Sequence, residues 1–205
     1  MNPFCFMKKN GAQIIELDSI VDGTPYMNSH LVLAYEFKDG LNKYLDKLGT
    51  NKPISNLQEL INATYSDSIE MKYFDLARLE DSQSKTDLED ETYRIALSNM
   101  LQSYRDNGID LIMDKFDLDA IISPTGGPAW KSDLINGDNF QISTSVYAAL
   151  SGYPNISVPM GFIKNLPVGL SFFGKAWTES LLIEIAYSFE QGTKHRVKPK
   201  FFTTD

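Results

Sequence analysis

The chain has 205 residues, of which 42% are apolar, 12% aromatic and 22% charged, a globular composition rather than a disordered one. Its formal charge of −8 argues against a surface that tracks phosphate backbones, so no nucleic-acid partner is expected. One cysteine, Cys5, excludes an internal disulfide, and two histidines, His30 and His195, make a multi-histidine metal site an unsuitable reading.

In chain order, Gly11-Ala-Gln-Ile-Ile-Glu-Leu17 reads as a short strand after a helix end. Leu33, Phe37, Leu41, Tyr44, Leu45 and Leu48 recur at three- and four-residue spacing, which predicts a helix with these residues on one stripe. Ser55 with Gln58 has capping-box spacing ahead of Leu57, Leu60 and Ile61. Residues 66–91 hold nine acids against three bases and read as a solvated helical face and loop. Thr86 with Glu89 repeats the capping spacing before a longer helix, with Tyr93, Leu97, Met100, Leu101 and Tyr104 on its stripe and Gly108 closing it.

Beyond residue 117 the pattern changes. Leu118-Asp-Ala-Ile-Ile-Ser123 is an apolar run ended by Pro124-Thr-Gly-Gly-Pro128, a buried strand followed by a loop. Ser143 is placed to cap a helix through Tyr147 and Leu150, stopped by Gly152-Tyr-Pro154. Asn155–Pro159 and Pro167–Phe173 read as strands, and Glu179–Gln191 as a helix burying Leu182, Ile185, Ala186 and Phe189. The whole is read as one α/β domain over 1–205, helical over about 30–116 and strand-rich over about 117–192. No apolar run approaches the ~20 residues that span a bilayer, and the first residues lack the order of a signal peptide. A cytoplasmic protein without a membrane partner is expected.

Candidate nucleophiles are few. Gly169-Leu-Ser171-Phe-Phe173 is the nearest match to a nucleophile elbow, but Phe173 would crowd the sharp turn, so Ser171 reads as an ordinary strand position. Ser82 and Lys85 have Ser-x-x-Lys spacing, yet the surrounding acids are the wrong setting for a neutral lysine base. Cys5 has no neighbour that would activate it, His195 lies in a charged, solvated segment, and His30 follows a polar turn. Thr125-Gly126-Gly127-Pro128-Ala129-Trp130 is the one segment shaped for a site. It follows a buried strand, where α/β sheets place ligands, and paired glycines permit close approach to a ligand or to another backbone. A tight turn anchored by a packed tryptophan explains the same residues equally well.

Asp119-Ala-Ile-Ile-Ser-Pro-Thr-Gly-Gly-Pro-Ala-Trp130 and Asp133-Leu-Ile-Asn-Gly-Asp138 resemble the C-terminal part of the amidase signature family. Gly152-Tyr-Pro-Asn-Ile-Ser-Val-Pro-Met-Gly161, Leu166–Gly174 and Glu190-Gln191 with Arg196 continue the resemblance in order. With Glu36–Leu45 and Ile109-Asp110 it runs from about Met7 to Phe201. The resemblance implies the family's α/β fold, a mixed sheet flanked by helices, and amide C–N hydrolysis by serine acyl transfer. The family's two serines lie in a Gly/Ser-rich signature, with a lysine base upstream of it. No Gly-Ser-Ser-Gly-Gly-Ser run occurs in these 205 residues, so none of them is expected to be catalytic.

On this resemblance the chain is a C-terminal amidase portion, inactive alone, that supplies scaffold and pocket wall. Thr125, Gly126, Gly127 and Trp130 would line the substrate pocket, with Tyr153 behind them and no metal or organic cofactor. Its partners would be a small-molecule or peptide amide and an N-terminal amidase half, with self-association as the other way to cover its exposed apolar surface. The alternative is a non-catalytic small-molecule binding module, or a nonfunctional remnant, on the amidase scaffold.

Overall fold

A computed structural model describes residues 3–21 and 26–200. Helix α1 (Pro3–Lys9) opens the chain, and the expected strand at 11–17 is instead irregular. This run of β-formers makes no ladder pairing, and Leu17 packs beside Ile109, Met113, Ile121 and Phe173. Contacts divide the chain between Asp22 and Gly23 and again between Ser103 and Tyr104.

The middle unit is helical: α2 (Tyr26–Lys47), α3 (Leu57–Tyr65), α4 (Glu70–Tyr73), α5 (Ala77–Ser84) and α6 (Glu91–Tyr104). Its core joins Leu57, Ile61 and Leu76, with Leu41 and Leu60 packed alongside. Lys38 of α2 donates to the carbonyls of Gln83 (3.0 Å) and Lys85 (2.5 Å), satisfying acceptors that the end of α5 leaves free. His30 lies within α2, not in a turn, 3.2 Å from the Arg78 guanidinium.

Both helix caps sit one residue or more past the expected ones. Asn56 caps α3, accepting from the Glu59 amide at 2.9 Å, and Glu59 reciprocates to the Ser55 amide at 2.8 Å. At α6 the Asp90 carboxylate accepts from the Thr92 amide at 2.8 Å and from the Thr86 hydroxyl at 2.5 Å. Asn and Asp are as good as Ser and better than Thr at this position, so the acceptor nearest the helix took it in each case.

The apolar stripe read on α2 faces solvent at several of its positions. Leu33, Tyr44 and Leu48 are 59%, 59% and 51% exposed, while Val32, Ala34 and Tyr35 are buried. Periodicity identifies which residues share a face, not what lies opposite them.

The other unit builds the sheet. Helical geometry breaks at Gly108 (φ −113°, ψ −108°), where the helix was expected to close: the turn Arg105–Asp110 after α6 is kinked there, and a second helix, α7 (Leu111–Phe116), starts beyond it. Strand β1 (Ile121–Pro124) follows, then α8 (Ser145–Ser151), ended by Gly152 in the left-handed region at φ 72°. Strands β2 (Asn155–Ile163) and β3 (Leu166–Phe173) form a hairpin whose two turn residues, Lys164 and Asn165, both have positive φ, as a primed turn requires.

The strand order is β1-β3-β2 and both pairings are antiparallel, so the mixed sheet expected for the family has no parallel pair among the described residues. Leu170 and Phe172 face α9 (Glu179–Thr193) and meet Leu182, Ala186 and Phe189. Ile121 and Phe173 face the opposite way and meet Ile109 and Met113. Helices on both faces of a sheet give the α/β class read from the sequence.

Candidate functional site

The site face follows from the two-residue period of a strand. Register places Ser123, Ser171 and Ser157 side by side across the three strands. Thr125, one residue past β1, keeps the pairing: its amide donates to the Gly169 carbonyl at 2.8 Å. Its hydroxyl shares hydrogen bonds with Ser157 (2.6 Å) and Ser171 (2.9 Å). Ser171 is 1% exposed, so this bond satisfies a hydroxyl that burial would otherwise leave unpaired. Ser171 is indeed a strand position, and Phe173 beyond it is fully buried.

Gly169 makes the network fit. A Cβ there would lie 2.8 Å from both the Ser157 and the Thr125 hydroxyl oxygens. The roles of Ser157 and Gly169 were not legible in the sequence, because they depend on register with Thr125, which lies 32 residues from Ser157 and 46 from Ser171.

Past Thr125 the loop closes on itself. Gly126 bridges Ser143, the Gly127 amide donates to the Ile142 carbonyl at 3.4 Å, and Thr144 bonds the Thr125 and Pro124 carbonyls. A Cβ on Gly126 would lie 3.4 Å from the Ile142 carbonyl oxygen and one on Gly127 3.4 Å from the Gln141 side chain, ordinary contacts that a side chain could accept. Ser143 bonds Ser145 rather than capping α8, whose N-cap residue is Thr144.

Between these anchors the segment 128–141 projects outward. Trp130 is 40% exposed; its indole N–H donates to Asp138 at 2.5 Å and its ring meets Phe140 edge-on at 6.4 Å. Asp133 accepts from the Ile135 and Asn136 amides and from the Asn136 side chain, which hold its carboxyl below the usual value. Thr125, Gly126 and Gly127 are thus held against 142–144, and Trp130 beyond them is an exposed aromatic held by a carboxylate rather than packed into a core.

Tyr153 has its partners in α8 and the kinked turn. Its hydroxyl donates to Asp110 at 2.8 Å and its ring lies under the Arg105 guanidinium at 5.5 Å, while Arg105 donates to the Ser151 carbonyl at 2.5 Å. Burial, then the bond to the Asp110 carboxylate, pushes the phenol up to about 12. Tyr153 therefore ties α8 to the kinked turn.

The remaining chemical candidates are committed elsewhere. Lys85 pairs with Asp81 at 2.6 Å and Ser82 donates to the Arg78 carbonyl at 3.0 Å, so their Ser-x-x-Lys spacing is a feature of the end of α5. Cys5 is exposed on α1, and the His195 ring lies half-buried 6.5 Å from that of Phe189. Among the described residues no three His, Cys, Asp or Glu side chains cluster as metal ligands would, and no helix is long and apolar enough to cross a membrane. A cavity of about 300 Å³ is lined by Phe6, Met7, Leu181, Ile185 and Phe189, between α1 and α9 rather than at the loop.

A family model described as Amidase matches residues 6–183. A probable amidase of Arabidopsis thaliana is 32% identical over 195 residues, covering 94% of this chain and 34% of that protein. A glutamyl-tRNA(Gln) amidotransferase subunit of Desulforamulus reducens is 39% identical over 97 residues, 44% of this chain and 20% of the relative. Among solved structures, the native peptide amidase of Stenotrophomonas maltophilia superposes with a TM-score of 0.87 at 33% identity, over 98% of this chain and 40% of its own. The chain spans about a third of the first of these proteins and two-fifths of the last.

Proposed function

This chain belongs to the amidase family, and from that premise we propose that it is the C-terminal part of an enzyme that hydrolyses amide C–N bonds by serine acyl transfer. The observation that carries the reading is the superposition on the peptide amidase, which takes in 98% of this chain and only 40% of the enzyme. The nucleophile, base and oxyanion donors then come from an N-terminal amidase portion. This chain supplies the sheet and the Thr125–Trp130 wall against which substrate lies.

Acyl transfer of this kind needs no metal or organic cofactor. It needs a serine deprotonated as it attacks, donors for the oxyanion, and a wall that holds the carbonyl in line. The hydroxyl row fixes Thr125, and Thr125 fixes where the loop leaves the sheet. Trp130 offers the substrate a flat apolar face whose polar edge is already satisfied by Asp138. Tyr153 acts from behind, by holding α8 against the kinked turn. The similarity to a peptide amidase favours amides of peptides as substrates.

Alone, the chain is expected to turn over no amide. A fluorophosphonate probe should leave every serine of the purified chain unlabelled, whereas covalent labelling of any serine would contradict the assignment of the nucleophile to another segment.

A further inference from the structure

Leu33, Phe37, Gly40, Tyr44 and Leu48 fall within an arc of about 80° on α2 and at its end, at 100° per residue. The four apolar side chains are exposed, and nothing lies within 4 Å of where a Cβ on Gly40 would sit. The row is close to a mirror of itself about Gly40, with an aliphatic end, an aromatic residue, the glycine, an aromatic residue and an aliphatic end.

We propose that this face pairs two copies of the chain, with their α2 helices antiparallel around a two-fold axis at Gly40. The axis sets Phe37 against Tyr44 of the second copy and Leu33 against its Leu48. The two glycines meet where the helices cross, and with no side chain there the backbones approach closely. An isologous contact needs a self-complementary patch, and this row supplies one.

Charge fixes the direction. Glu36, Lys43 and Lys47 lie along one flank of the row. Antiparallel pairing places Glu36 between Lys43 and Lys47 of the second copy, twice by symmetry. Parallel pairing would put this flank on opposite sides of the seam in the two copies, where these charges do not meet. Lys43 already pairs with Asp39 in its own helix at 2.8 Å, which leaves Lys47 as the cross-partner for Glu36. Glu36 accepts from the Tyr93 hydroxyl at 2.8 Å through one oxygen, and a carboxylate has a second oxygen for a cation. The remainder of an amidase is the competing occupant, but it gives no reason for the mirror arrangement or for the placement of the two lysines. The face buries roughly 500 Å² per copy, at the low end for a specific contact, so the dimer is weak and reversible.

Sedimentation equilibrium from low to several hundred micromolar should give a monomer–dimer equilibrium. Phe37→Glu and Tyr44→Glu should each raise the dissociation constant about tenfold or more with unchanged circular dichroism, since both positions are exposed. Glu36→Lys should weaken the dimer, and adding Lys43→Glu with Lys47→Glu should restore it. Ile183→Glu, on the outer face of α9, should change nothing. A monomer at every concentration, or a dimer indifferent to Phe37→Glu and Tyr44→Glu, overturns the proposal. So does a chain that stays monomeric yet captures the N-terminal portion of a peptide amidase through this same face.

Discussion

Thr125 sits over Gly169: its amide bonds the Gly169 carbonyl at 2.8 Å, and its hydroxyl occupies the space that a side chain on residue 169 would need. One contact extends β1 beyond Pro124, seats the Ser157 and Ser171 hydroxyls, and sets the starting point of the loop that carries Trp130. The route from strand register to the loop that carries Trp130 passes through this pair.

Gly169→Ala should therefore cost about 1–3 kcal/mol, the usual range for overpacking a closed site. Its Cβ would fall 2.8 Å from two hydroxyl oxygens, one of them on Thr125, whose backbone is paired to the same strand. Urea denaturation of the two proteins measures the difference. An unchanged midpoint would mean that β1 can shift away from β3 without loss.

In an enzyme completed with an N-terminal portion, Trp130→Ala should raise KM for a peptide amide about tenfold and leave kcat within a few-fold. A wall that binds ground state and transition state alike changes KM alone. A fall in kcat with KM unchanged would place Trp130 in the bond-breaking machinery instead.

Asp90 gives the helical unit an acid-sensitive cap. The Thr86 hydroxyl, then the Thr92 amide and the Tyr35 hydroxyl, hold its carboxyl down at about 2, from an ordinary value of 3.8. Because folding lowers this pKa, its contribution is complete above the unfolded value and is lost as pH falls from about 4 towards 2. Asp90→Asn keeps a capping oxygen but does not titrate. Its melting temperature should fall less steeply than that of the wild type across this window; parallel curves would contradict the role.

Tyr153 gives the sheet unit the opposite dependence. Its phenol is raised to about 12, so its contribution is complete below the ordinary value of 10.0 and is lost as pH rises from there towards about 12. Tyr153→Phe should be less stable than the wild type at neutral pH and should lose part of the alkaline decline. A phenolate absorbance that titrates near 10 and disappears in Tyr153→Phe would show that the bond to Asp110 is not formed in solution.

Much of this was legible in the residues. Pro167–Phe173 reads as a strand because β-formers are bounded by breakers, and Gly152 reads as a helix stop because it is suited to the left-handed region it adopts. Leu182, Ala186 and Phe189 share a face in sequence and in space. The failures have physical causes. Ser55 and Thr86 lost the caps to Asn56 and Asp90, because neighbouring acceptors compete on geometry that spacing does not contain. Residues 11–17 have strand composition, but composition does not decide whether a run pairs, and this one joins no sheet. Gly108 does break the helix, but the second helix that resumes just beyond it and buries Met113 was not read. The closure of 125–127 on 142–144 is a long-range pairing of irregular backbone, which has no period to read.

The most direct measurement is ammonia release from a peptide amide by three samples: this chain, the N-terminal portion of the Stenotrophomonas maltophilia peptide amidase, and the two co-expressed. The account predicts turnover only in the third. Turnover by this chain alone would contradict it, as would an inactive third sample in which the two parts are shown to be bound.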